Sequence, residues 1–276
     1  MRIDSHQHFW RFSPAEHGWL DDAKASLRRD FMPRELEAAL KHNGFDGCVA
    51  VQAAQTLDES RYLLELAQAS PFVRGVVGWV DLRDPQLSRT LEELSAAERF
   101  KGVRHILQSE PPGFMADARF RSGVARLADF SLSYDVLVYA HQLPEVIELA
   151  RAVPNVSCVL NHLAKPEVRA GRLEPWRQQL RRLAELPNVT CKLSGLVTEA
   201  AWDAWQPSQL APFVDAAVES FGPERLLVGS DWPVCTLAGS YADVMRVFED
   251  YFATFSAGER AAIFGGNAER VYRLSA

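Results

Sequence analysis

Short runs of branched apolar residues recur along the chain, separated by segments that are apolar on one side only. Eight such runs can be read: RIDSHQHF (2–9), GCVAVQA (47–53), VRGVVGWVD (73–81), KGVRHIL (101–107), YDVLVYAH (134–141), SCVLNHL (157–163), VTCKLSGL (189–196) and RLLVGSDW (225–232). Their length and β-branched content predict strands. The segments between them carry helical spacing: 32–44, 59–69, 87–98, 120–130, 144–152, 175–186, 212–222 and 241–252, with a terminal helix around 259–264 and 267–272. Pro33 suits a first helical turn and Gly44 a C-cap. Arg177, Arg181 and Arg182 fall on the solvent side of their helix.

Strands that are apolar on both faces and alternate with helices imply a parallel sheet. Eight such units in 276 residues predict an α/β fold of the closed (β/α)8 barrel type, read as one domain over 1–276. An open doubly wound sheet would show a glycine-rich phosphate turn after its first strand, where this chain has SHQHFW. Residues 10–30 and 109–118 are expected to be loops at the barrel mouth.

Composition narrows the function by exclusion. A net charge of -6 with no Lys/Arg-rich block gives no footprint for nucleic acid. No run is long and apolar enough to span a membrane, and Asp4, His6 and His8 interrupt any leader-like core, so a cytoplasmic location is expected. Cys48, Cys158, Cys191 and Cys235 lack metal or disulfide spacing, and buried thiols are expected.

In a (β/α)8 barrel the chemistry sits at the C-terminal ends of the strands. His6 and His8, two apart on one strand, share a face. Arg104 and His105 lie on the fourth strand, His141 ends the fifth, and Asn161-His162 end the sixth. Lys192 and Ser194 lie on the seventh, and Ser230-Asp231-Trp232 end the eighth. Five of the seven histidines thus gather at one rim. Only one of Arg104 and His105 can face inward, and Arg104 is expected there. His141 either caps a turn or meets ligand, and Lys165 either reaches the mouth or lies in solvent. Trp10 and Trp232 wall the pocket or fill core. Glu110 is expected in solvent, and His17 and His42 at the surface.

His-x-His on the first strand, His141 and His162 after the fifth and sixth, and Asp231 after the eighth resemble the amidohydrolase superfamily. The words DSHQHFW, KGVRHILQ, NHLAKP, CKLSGL and GSDWPV resemble its sugar-lactonase branch, which includes L-fuconolactone and L-rhamnonolactone hydrolases. The resemblance runs from residue 2 to the NAERVY helix. It implies the barrel fold, hydrolysis of a cyclic ester, and a central site of His6, His8, His162 and Asp231. Binuclear members carry a carboxylated lysine or a glutamate at the end of strand four, where this chain has GVRHIL. At most one divalent metal is therefore expected.

Lactone hydrolysis needs an activated water, a partner for the oxyanion and a proton for the leaving alkoxide. Asp231 is expected as general base. Two designs fit the rest. In one, His6, His8 and Asp231, with His141 or His162, hold a zinc ion. In the other no metal is required, and the histidines and Arg104 polarise the carbonyl. A small sugar lactone is the expected partner, with Arg104, Gln52, His141, Lys165, Trp10 and Trp232 as candidate substrate contacts. The helical exterior also permits oligomers. Two alternatives remain at this stage: a zinc-dependent decarboxylase or other hydrolase of the same superfamily, and a non-catalytic ligand-binding barrel.

Overall fold

A computed structural model describes residues 1–275. Eight parallel strands follow one another around a barrel in chain order: β1 Ile3–Gln7, β2 Gly47–Val51, β3 Val73–Gly78, β4 Phe100–Ile106, β5 Ser133–Leu137, β6 Cys158–Leu160, β7 Val189–Leu193 and β8 Leu226–Val228. Helices α1 (Pro33–His42), α2 (Leu57–Ala69), α3 (Leu87–Ser95), α4 (Ala118–Arg126), α5 (Leu143–Ala152), α6 (Trp176–Ala184), α7 (Pro207–Phe221) and α8 (Tyr241–Tyr251) follow the strands in turn, and α9 (Ala257–Ala261) and α10 (Asn267–Tyr272) end the chain. The expected (β/α)8 architecture is therefore present. Among the described residues, no helix is long and apolar enough to cross a membrane.

Several boundaries differ from those read in the sequence. α7 begins at Pro207, where a missing N–H costs no helical bond, and Pro212 lies inside it at the sixth position, where it leaves the Ser208 carbonyl without its usual donor. The loop after β1 holds a short 3-10 turn at Asp22–Leu27. The cysteines are all free and buried, as expected.

Side-chain parity divides the barrel into two packing zones. Ile3, Val49, Val51, Val77, Val159 and Leu227 point inward and form one cluster, closed by Ala268, Val271 and Tyr272 of α10. Their neighbours Cys48, Ala50, Val76, Cys158 and Val228 point outward into the shell under the helices. In α6 that shell receives Trp176, Leu180, Leu183 and Ala184, spaced as one helical face. A register shift in β1 between Asp4 and Gln7 adds a residue to one side of the pairing, so Ile3 and His6 both serve the interior. Above the apolar floor the inward positions become polar: Arg104, Asp135, Asn161 and Lys192, all buried.

Candidate active site

The centre lies where the barrel closes. β8 and β1 meet through one parallel bridge between Gln7 and Trp232. Asp231 N–H donates to His6 O at 2.8 Å and His8 N–H to Trp232 O at 2.7 Å. These bonds lock the segment after β8 against the end of β1. The Asp231 carboxylate consequently stands among three imidazoles, its Oδ1 being 3.3 Å from His8 Nε2, 3.7 Å from His6 Nε2 and 3.8 Å from His162 Nε2.

Two glycines permit this approach. A Cβ at Gly229 would lie 2.6 Å from the Cβ of His6, and one at Gly195 2.6 Å from Nδ1 of His162. Gly195 also holds a φ of +66°, which side chains other than glycine's strain to adopt. The histidine turn is itself strained: His162, Leu163, Ala164 and Lys165 are four successive residues at positive φ, and Asp231 adopts a φ of 59°. Left-handed residues cost roughly 1–2 kcal/mol each and persist where the surroundings over-determine them, commonly at working sites. Here Trp176 Nε1 donates to Leu163 O at 2.7 Å and holds the turn from below.

Each imidazole is anchored through Nδ1. His8 Nδ1 lies 2.7 Å from Val51 O, His162 Nδ1 2.8 Å from Ser194 Oγ, and His6 Nδ1 3.2 Å from Lys192 Nζ. A carbonyl oxygen only accepts, so His8 must carry a proton on Nδ1. Its Nε2 and the Asp231 oxygen then face each other with lone pairs, and a cation or a proton must lie between them. His6, His8 and Asp231 offer ligand atoms within 4.8 Å of one another, and His162 adjoins through Asp231. This donor set of nitrogen and carboxylate suits a single zinc-like ion, and the Nδ1 contacts of His8 with Val51 O and of His162 with Ser194 Oγ hold those two rings as metal-bound histidines require.

Burial sets the charge states. It pushes His162 down to about 3 and holds His6 and His8 below the usual imidazole value, although Asp231 partly offsets this for His8. Burial alone would raise the Asp231 carboxyl, but His162, His8 and Lys165 outweigh it and leave its pKa below the usual 3.8. At neutral pH the centre is a carboxylate among neutral imidazoles.

The structure separates the remaining candidates. Arg104 faces inward: its Nη1 lies 3.4 Å from His6 Nε2 and donates to Asn161 Oδ1 at 3.3 Å. Its Nε and Nη2 bond Gln52. His105 faces out, against Glu110 at 2.7 Å and stacked on Phe114. Glu110 is thus paired, not free in solvent. Gln52 is fully buried, and its side-chain oxygen accepts from Arg104. Trp10 stands beside His8, 6.3 Å from it between ring centres. It is buried among Phe31, Trp19 and His17, and its indole N–H donates to Arg29 O at 2.9 Å. His17 is buried too, contrary to the surface place expected for it. Trp232 packs on Phe9 and Phe31 as a wall beside Asp231.

His141 does not join the imidazole cluster. It is exposed and stacks on Tyr139, which leaves His162 as the third histidine. Lys165 reaches the mouth, 3.6 Å from Glu199 and 5.8 Å from the centre of the Tyr139 ring. Sequence reasoning missed Asp135 and Tyr272, and named Asn161, Lys192 and Ser194 without a task. A charged residue at an inward position of an apolar strand, as in YDVLV and TCKLS, was the available signal.

This arrangement can be set beside known proteins. The family model described as Amidohydrolase matches residues 3–274. The chain belongs to the amidohydrolase family. It is 42% identical to an L-fucono-1,5-lactonase of Burkholderia multivorans over 99% of this chain and 96% of that one. A second L-fucono-1,5-lactonase, from Burkholderia ambifaria, is 37% identical over 99% of this chain and 96% of its own. The fold superposes on a crystal structure of an amidohydrolase from Burkholderia multivorans with bound Zn, at a TM-score of 0.97, 42% identity and full coverage of both chains.

Proposed function

We propose that this amidohydrolase opens a sugar lactone to its acid, with an L-fucono-1,5-lactone as the leading substrate and residues 1–276 acting as one domain. The observation that carries this reading is the Asp231 carboxyl group held among three imidazoles at the barrel seam. The full-length similarity to two L-fucono-1,5-lactonases supports it. A water against Asp231 is deprotonated as it attacks the lactone carbonyl, and Asp231 then returns the proton to the ring oxygen as the acyl–oxygen bond breaks. In the design that needs no metal, His6 and His162, with the Arg104 charge behind His6, face the carbonyl oxygen as it becomes anionic. Lys165 and His141 stand at the mouth, where hydroxyls of the sugar would lie, and Trp232 walls the pocket.

We assign His6, His8, His162 and Asp231 as the residues that would hold one divalent ion, zinc by the donor types. Such an ion supplies Lewis-acid polarisation of the carbonyl or a more acidic water. Elemental analysis of protein purified without added metal should find no more than about one equivalent per chain, given four candidate ligands and no strand-four bridge. Two equivalents, both lost in His6→Asn, would contradict the mononuclear assignment.

The charge states make a pH prediction. Burial holds the three imidazoles below the usual histidine value, and Asp231 lies below the usual carboxylate value, so enzymatic kcat/KM, corrected for spontaneous opening, should show no acid limb from these groups centred at or above the usual histidine value. An acid limb centred near 6.5, the usual histidine value, would show that an imidazole and not Asp231 is the base.

The direct test is a pH-indicator assay over a panel of aldonolactones differing in configuration and ring size. Turnover of at least one member well above its spontaneous rate is expected, L-fucono-1,5-lactone first. A panel opened no faster with protein than without it would remove the lactonase reading.

A further inference from the structure

His8 and His162 are anchored by groups that belong to the loops and strand ends around them. His6 is anchored differently. Its Nδ1 rests against the ammonium of Lys192, which is itself fully buried. Lys192 Nζ donates to Asp135 Oδ2 at 2.6 Å. Asp135 also accepts from Tyr272 OH, 2.9 Å to Oδ1 and 3.0 Å to Oδ2, and from Asn161 Nδ2 at 3.0 Å. Lys192 Nζ lies 5.2 Å from the centre of the Tyr272 ring. A continuous polar column therefore runs up the barrel axis, from the C-terminal helix that plugs its floor to the imidazole at its mouth.

Stability alone gives no reason for such a column. The centre of a (β/α)8 barrel is ordinarily filled by branched apolar side chains, and a buried ion pair is often no better for stability than apolar residues of equal volume. What the column does supply is a fixed support for one ring. Removing Lys192 leaves His6 Nδ1 unanchored and its ring free to turn away from Asp231 and the substrate carbonyl, and removing Asp135 or Tyr272 loosens the support of Lys192 itself.

We propose that Lys192, Asp135 and Tyr272 form a positioning relay that sets the orientation of His6, so that the C-terminal helix is part of the catalytic apparatus although it lies at the opposite end of the barrel. The inference rests on the lactonase reading for its kinetic consequence only. Lys192 and Asp135 are positioning residues, since neither meets the substrate, and Tyr272 acts one step further back.

The experiment uses the full-length protein in three forms: the parent, Tyr272→Phe, and the double variant Lys192→Met/Asp135→Asn. The double variant removes both charges together, because either single change strands an uncompensated buried charge and invites unfolding. Steady-state kinetics, thermal melting and the imidazole nitrogen resonances of histidine-labelled protein are measured on each. Loss of an outer support of this kind typically costs 10–100-fold. The double variant should lose about that much in kcat with KM within about twofold, and Tyr272→Phe should lose a smaller part of it. In both variants the His6 resonances should move while those of His8 and His162 stay in place.

A double variant with parental kcat and unmoved His6 resonances would overturn the proposal. So would losses in kcat and KM that follow the melting temperature and shift all three histidines alike, since that pattern marks a general loosening. If the double variant does not fold, Tyr272→Phe decides alone, because it removes one hydroxyl and keeps the ring. Were the parent to open no lactone at all, the functional reading would fall. The His6 resonances would still show whether the relay exists.

Discussion

Asp231→Asn should slow lactone opening by about a hundredfold or more, the scale expected when a general base is removed. The substitution keeps the shape of the side chain and takes away its capacity to accept the proton of the attacking water. The backbone should not object. Asp231 sits at a φ of 59°, and asparagine is among the residues that tolerate the left-handed region best. The seam bonds from Asp231 N–H to His6 O and from His8 N–H to Trp232 O are main-chain bonds, and they survive the change. The loss should therefore appear in kcat, with the melting temperature close to the parent's. An Asp231→Asn variant as fast as the parent on every lactone of the panel would refute the general-base assignment.

Arg104→Met should lower kcat/KM by about tenfold to a thousandfold, the range for losing a charge-assisted interaction in a water-poor site. The structure changes the reason for that expectation. Arg104 reads as a direct substrate contact in the sequence, but its donors are taken up by Gln52, Asn161 and His6. The effect expected of it is instead that of a fixed positive charge beside His6. Burial lowers its pKa to about 10, with Asp135 and Asp231 opposing the shift, so the guanidinium remains charged at neutral pH. Methionine fills similar volume without the charge and frees the Gln52 side chain. Near-normal kinetics in a folded Arg104→Met protein would show that the field at His6 does not depend on Arg104.

The architecture was legible because the barrel repeats one unit, and each strand and helix carries its own period. The rim was legible for a related reason. His6, His8, His162 and Asp231 all follow or end apolar runs, where a parallel barrel places its chemistry. What the sequence could not convey was which polar groups find each other across the barrel. Gln52 and Arg104 are 52 positions apart, and Gln52 lies just past the end of β2, off the parity of the inward-facing Val49 and Val51. Trp10 looked equally suited to pocket or core until the loop after β1 folded over it. His141 and His162 both follow strands, but only the left-handed turn after β6 carries its histidine inward. Asp135 and Lys192 were visible as charges inside apolar strands. Their partner Tyr272 comes from the last helix, and no local pattern could connect it to them.

The measurement that tests the central claim most directly is a single turnover in water enriched in oxygen-18, with enzyme in excess over lactone. Mass spectrometry then follows the label in both the product and the peptide that contains Asp231. If Asp231 activates water that attacks the acyl carbon, the newly formed carboxylate carries one labelled oxygen and the Asp231 peptide carries none. Label in the Asp231 carboxylate, with an unlabelled product acid, would mean that Asp231 attacks the lactone itself and would contradict the account.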